Sequence, residues 1–154
     1  MFYYLVFNRL TKFDSDYKIF LSLFKNDNFK ILLFFRFNYI LIPLTTSENR
    51  EYLPIVFVSK DIIVNNTSSF IPSDDKCLFG IVSSKMHMTW MRYTAGRLEG
   101  RYRYSNTIVY NTFPFPIVSP RYKSQIISHV QEILDIRESY KNQTYAELYG
   151  KYCR

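Results

Sequence analysis

The clearest periodicity in the chain lies between the capping run Pro72-Ser73-Asp74-Asp75 and Gly96. Phe79, Val82, Met86, Trp90 and Tyr93 recur there three and four residues apart, which predicts one amphipathic helix with these side chains as its buried face. Ser84, Lys85, Arg92 and the backbone of Gly80 fall off that face. The period then changes to two. Between Arg97 and Tyr104 the side chains of Arg97, Glu99, Arg101 and Arg103 alternate with Leu98, Gly100, Tyr102 and Tyr104, which predicts a strand with one charged side.

Other elements are read around these two. Tyr39-Ile40-Leu41-Ile42 predicts a buried strand stopped by Pro43, and Thr45 to Arg50 a polar turn. Tyr52 to Val58 predicts a strand with Pro54 at its edge or start, Ile62-Ile63-Val64 another, and Ser69-Phe70-Ile71 a third. Ile108-Val109-Tyr110 predicts a strand leading into Phe113-Pro114-Phe115-Pro116, whose prolines forbid helix and require an extended crossing. Ser119-Pro120 opens a helix ending near Tyr140, with Ile126, Ile127, Val130, Ile133 and Leu134 as its stripe. Thr144-Tyr145-Ala146-Glu147 is a capping box for a second helix. With so little chain after that start, the expectation is a C-terminal helical region cut short. Before residue 37 the apolar positions fit helix and strand alike; Lys18 to Phe24 reads as a helix and Ile31 to Ile42 as one or two strands. The whole predicts an α+β fold, a short mixed or antiparallel sheet packed on a central helix, with C-terminal helices. The division is 1–36 unassigned, 37–118 a domain, and 119–154 the helical region.

Composition narrows the classes. The 154 residues suit one domain, and 47% apolar with 21% charged residues excludes disorder. Fourteen Tyr and 14 Phe with only two Ala and four Gly do not look like a helical bundle. Twenty Lys and Arg against 13 Asp and Glu give a net charge of +7, which favours an anionic partner such as nucleic acid. Cys77 and Cys153 make neither a disulfide framework nor a zinc site, so a reducing, cytoplasmic setting is expected. No apolar run approaches the roughly 20 residues of a spanning helix, and no membrane contact is expected. The sequons at Asn65, Asn66 and Asn142 would matter only in a secreted protein.

The charge is concentrated. Lys85, Arg92, Arg97, Arg101 and Arg103 against Glu99 leave a local excess of four, more than half of the total. An Arg fork can donate two hydrogen bonds to guanine O6 and N7, and a Glu can accept from the cytosine amino group. Alternate strand positions would space such groups roughly 6.5 to 7 Å apart, so that successive side chains address adjacent bases. The same pattern also fits a solvated strand face on which Glu99 screens its arginine neighbours. His87 has no carboxylate or cysteine at metal-ligand spacing and reads as a packed or capping residue. Cys77 and Trp90 read as core fillers. The four glycines form no nucleotide-binding loop, and no Glu is followed two residues later by Lys as in metal nucleases. No catalytic residue and no metal ligand is assigned.

Several ordered segments carry a resemblance. Ser47-Glu48-Asn49-Arg50-Glu51-Tyr52-Leu53-Pro54-Ile55, Leu78-Phe79-Gly80-Ile81, Met86-His87-Met88-Thr89-Trp90-Met91-Arg92, Gly96-Arg97-Leu98, Tyr102-Arg103-Tyr104-Ser105 and Ile108 to Pro116 closely resemble the target recognition domain of MmeI-type enzymes. These are single-chain type IIG/IIL restriction-modification proteins, and related adenine-specific DNA methyltransferases share the domain. The resemblance covers about residues 37 to 118, and Leu148-Tyr149 continues it into the family's helical region. It implies that nuclease and S-adenosylmethionine-dependent methyltransferase modules precede a domain that chooses the sequence in double-stranded DNA. It further implies base reading by Glu99, Arg101 and Arg103, with Asn65, Asn66 and Thr67 as a second reading loop. Lys85, Arg92, Arg97 and Arg50 are the expected phosphate contacts. The family's Asn/Asp-Pro-Pro-Tyr/Phe loop and Gly-rich cofactor turn are missing, since Asn111-Thr112-Phe113-Pro114 is a different motif. No cofactor is therefore expected in this chain, although S-adenosylmethionine and magnesium belong to the full-length family.

Two functions follow as expectations. The first is a sequence-specific DNA recognition module without its own catalysis, a detached C-terminal piece of an adenine-N6 methyltransferase or restriction-modification enzyme. The second is an interaction or structural fragment, a gene remnant docking on an intact methyltransferase-nuclease subunit. Residues 1 to about 36, free of Gly, Ala and Pro, would suit a frameshifted upstream part. An enzymatic reading requires a methyltransferase assembled from separate chains.

Overall fold

The computed structural model describes residues 38–149 apart from 63, 65 and 66. Expectations for residues 1–37, for Asn65 and Asn66 and for Cys153 lie outside the described residues. The fold is α+β, with two small antiparallel sheets where one was expected.

The first sheet has β1 (Tyr39–Pro43) at its centre, between β3 (Val56–Val58) and β4 (Ser68–Ile71). Its register sets Ile40 opposite Phe57 and Ile71, so the β-branched and aromatic side chains that favour a pleated surface meet across strands. Pro43 ends β1 inside the ladder, opposite Ser68. The predicted strand from Tyr52 shrinks to its last three residues. Leu53 and Ile55 are buried as irregular chain, with the Leu53 N–H donating to the Met88 sulfur at 3.3 Å. Ile62 and Val64 are not in a strand; the Ser59 hydroxyl bonds the Asp61 carboxylate and N–H, the Ile62 N–H donates to the Ser59 carbonyl, and this local turn outcompetes the β-branched run.

The second sheet is built from β2 (Thr45–Thr46), β6 (Arg101–Arg103) and β5 (Gly96–Leu98), in that order. The predicted polar turn thus begins with a strand, and the turn proper follows at Ser47–Arg50, where the Arg50 N–H donates to the Ser47 carbonyl.

The single long helix is corrected to two, α1 (Lys76–Val82) and α2 (Lys85–Thr94). Asp75, the last residue of the expected start signal, caps α1. Ser84 is extended and its hydroxyl accepts from the His87 N–H, so a fresh N-cap restarts the helix with a shifted phase. The buried face of α2 is consequently His87, Met88 and Met91, while Met86 and Tyr93 stand 61% and 87% exposed. Phe79 and Val82 on α1 are buried as predicted.

Residues Asn106–Tyr110 form a π-helical turn rather than a strand. The Ser105 hydroxyl accepts from the Ile108 N–H, and Asn111 N–H reaches back to the Asn106 carbonyl at 2.9 Å; a serine cap ahead of the β-branched residues decides the conformation. Phe113 then enters the core edge-on to His87, Trp90 and Phe115. Helix α3 (Pro120–Ser139) packs on α1 through Ile126 and Val130. Gly80 makes that approach possible: a Cβ there would lie 2.6 Å from Ile126 Cγ2 and 2.9 Å from Val130 Cγ2. Ile133 is exposed on the other side of the predicted stripe. The capping box at Thr144 forms with both hydrogen bonds and opens α4 (Tyr145–Leu148). Arg137 ties this end together, donating to the Ile55 carbonyl and the Tyr149 hydroxyl while lying against Phe79 and Tyr145.

Candidate nucleic-acid interface

The charged stretch is a hairpin. Leu98 pairs with Arg101, leaving Glu99 and Gly100 as a two-residue loop with φ of +50° and +86°. Positive φ at both central positions is the type I′ pattern, whose usual first residue is Asn or Gly rather than Glu. The single charged side expected of one strand therefore divides. Residues paired across an antiparallel ladder share a face, which puts Arg97, Tyr102 and Thr46 on one side and Thr45, Gly96, Leu98, Arg101 and Arg103 on the other.

The first side is the covered one, although Arg97 itself stays half exposed. Tyr102 and Thr46 are buried. Arg97 lies over the Tyr102 ring at 4.5 Å, donates to its hydroxyl at 3.1 Å, and meets the Glu48 carboxylate at 3.4 Å. Glu48 also lies close under Gly100, 3.4 Å from where a Cβ would stand. Neither periodicity nor local spacing could have found Glu48, which sits 49 residues from Arg97 and meets it only through the β2–β6 pairing.

The second side is open: all five of its residues are exposed. Among the described residues no ion pair holds Arg101 or Arg103, which stand one strand repeat apart on this face. Their strand is anchored by the alternate residues Tyr102 and Tyr104. The Tyr104 N–H donates to the Leu44 carbonyl at 2.8 Å, and its hydroxyl meets His87 Nε2 at 3.0 Å. Burial lowers the His87 pKa to about 4 and pushes the Tyr104 hydroxyl far up. In the imidazolium both ring nitrogens carry N–H, and Nδ1 has no acceptor among the described residues. The pair is thus a neutral strut between α2 and the hairpin.

The remaining cations are distributed. Arg92 donates to the Arg50 and Glu51 carbonyls at 3.2 and 3.0 Å, so these two arginines meet and brace the 47–51 turn. Lys85 is exposed at the first turn of α2. Thr67 is exposed and its carbonyl accepts from the Leu44 N–H, beside the 65–66 positions outside the described residues. Among the described residues no cluster of His, Cys, Asp and Glu could hold a metal ion, and no helix is long and apolar enough to cross a membrane.

A small α+β domain that presents a braced, open-faced basic hairpin is the architecture of a recognition module. The profile of one family, "MmeI, target recognition domain", matches residues 34–117, and the chain belongs to that family. It is 46% identical over 111 residues to DNA methyltransferase A of Bacillus subtilis (strain 168), a match spanning 72% of this chain and 12% of that protein. It is also similar to the solved structure of the type IIL restriction-modification enzyme MmeI in complex with DNA, with a TM-score of 0.72 and 45% identity over 74% of this chain and 15% of that one. The chain therefore corresponds to a small part of either relative's length.

Proposed function

We propose that this chain reads the base sequence of double-stranded DNA for a restriction-modification or adenine-N6 methyltransferase system. The observation that carries the reading is the pair Arg101 and Arg103, exposed and free of carboxylate partners among the described residues on a strand locked from behind by Tyr102 and Tyr104. The solved relative was captured with DNA, which supports the same ligand here. Glu99, Arg101 and Arg103 serve as base readers, with Asn65, Asn66 and Thr67 as the second loop. The left-handed backbone at Glu99 supports its inclusion: a carboxylate kept where Asn or Gly would be less strained has a use for its side chain. Lys85 and Arg50 face phosphates. Arg92 and Arg97 hold protein acceptors but, with five N–H donors each, retain some for a phosphate. Residues 37–118 form the recognition unit and 119–154 belong to the helical region, in a cytoplasmic protein whose methyl transfer, with its S-adenosylmethionine, is carried out by parts outside this chain.

Selection from a randomised duplex pool followed by sequencing tests this. Enrichment of one motif is expected, with log-log salt dependence of about 0.9 per phosphate neutralised. Arg101→Ala should cost about 1 to 3 kcal/mol on that motif and relax one base position. Equal loss on every sequence would demote Arg101 to a phosphate contact, and no enrichment by the unaltered chain would refute the reading.

Exposed Tyr122, Ile133, Ile136 and Tyr140 on and after α3 favour, as a second reading, docking on a methyltransferase or nuclease subunit. A monomer in light scattering that retains no such subunit in a pull-down would count against it.

A further inference from the structure

Helix α3 is apolar over a wider sector than its packing on α1 uses. Val130 and Leu134 face the core, and roughly 100° around the axis from them runs a second line, Tyr122, Ile133, Ile136 and Tyr140. These four are 61%, 39%, 60% and 50% exposed. Single exposed apolar side chains are ordinary, but four in one line along a 20-residue helix make a surface. With the half-buried Ile126 and the exposed His129 the line runs 122, 126, 129, 133, 136, 140, and these alternating intervals of four and three keep it on one side of the helix for roughly 27 Å.

Two features say what covers it. The line matches itself when reversed: Tyr122 and Tyr140 stand at its ends, Ile126 and Ile136 next, His129 and Ile133 at the middle. An antiparallel copy would therefore set tyrosine on tyrosine, isoleucine on isoleucine and each His129 against an Ile133, the self-complementarity of a twofold interface. Charge selects the same direction. The first half of α3 carries Arg121 and Lys123 and no carboxylate, whereas the second carries Glu132, Asp135 and Glu138, with Arg137 tied to the Ile55 carbonyl and Tyr149. Antiparallel copies place each basic half on an acidic half; parallel copies place like on like. Among the described residues no ion pair holds Arg121 or Asp135, so both can answer a second copy.

We propose that α3 is a self-association surface, on which two copies of this chain pair antiparallel along the line from Tyr122 to Tyr140. A polar residue within an apolar seam fixes register, the place His129 takes at the centre. The inference goes beyond the DNA reading and does not depend on it.

Sedimentation of the full chain over a dilution series tests this, with circular dichroism of every variant to check folding. A monomer–dimer equilibrium is expected. Ile136→Glu and, at the other end of the line, Tyr122→Glu should each weaken it at least about tenfold, or about 1.4 kcal/mol, and the second guards against a folding defect in the first. Tyr93→Ser, at an equally exposed aromatic on α2, should leave it unchanged. Under mild oxidation an equal mixture of His129→Cys and Ile133→Cys chains should form a cross-linked dimer that neither forms alone. A chain that stays monomeric at every concentration would overturn the proposal and leave the face to a methyltransferase or nuclease subunit. A dimer indifferent to both charge variants, or cross-linking of either cysteine variant by itself as a parallel pair requires, would overturn it too. Failure to select any duplex would remove the DNA reading and leave this inference standing.

Discussion

Acid should loosen the hairpin through His87. The imidazole is wholly buried, its pKa is lowered from 6.5 to about 4 by burial, and its one hydrogen-bond partner among the described residues is the Tyr104 hydroxyl. A depressed native value means that between these limits the unfolded chain binds a proton and the native one does not, so stability is fully present above pH 6.5 and declines as pH falls toward 4. With those two values the loss is about 2 kcal/mol at pH 5 and approaches roughly 3 kcal/mol below pH 4. That is a large share of the 5 to 15 kcal/mol typical of a small domain. Urea unfolding of the unaltered chain and of His87→Gln at a series of pH values isolates it, because carboxylates titrate in both proteins and cancel in the difference. The variant should be weaker at neutral pH but have the flatter curve, the gap closing by about 2 kcal/mol between pH 7.5 and pH 5. Nuclear magnetic resonance of the ring gives a direct check. A His87 that titrates above pH 6, or a gap independent of pH, would refute the argument that burial keeps this imidazole neutral.

Two further perturbations follow from the backbone. Glu99→Asn places a residue tolerant of left-handed φ at the first loop position and should raise stability by about 0.5 to 1 kcal/mol in chemical denaturation while degrading discrimination at one base pair; a stabilised variant with unchanged sequence preference would exclude Glu99 from base reading. Gly80→Ala forces a methyl against two stiff β-branched side chains, an overpacking cost of about 1 to 3 kcal/mol reduced by up to about 1 kcal/mol of helix propensity. Its melting temperature should fall, and a rise would show that α3 can retreat without loss.

The family, the α+β class and the elements with self-contained signals were legible in the residues alone. The Asp75 cap, the Ser119-Pro120 start and the Thr144 capping box need only their own neighbours, and each appears where its pattern placed it. Errors fell where two local preferences competed. An apolar period cannot show that a serine within it will cap a new helix, so Ser84 shifted the buried face from Met86 and Tyr93 to His87, Met88 and Met91. A β-branched run cannot show that Ser105 will wind it into a helical turn. The alternation from Arg97 to Tyr104 did not reveal its own geometry, because period two looks the same in one strand and in two strands joined by a two-residue loop. Only the pairing of β6 with β2 and β5 decided which arginines stand on the open face and which lies over Tyr102. That division depends on residues some 50 positions apart in the chain, Glu48 and Thr45 against Arg97 and Arg103. A hydrogen-bonded ladder assigns side chains to faces by cross-strand partners, and no one-dimensional pattern contains those partners.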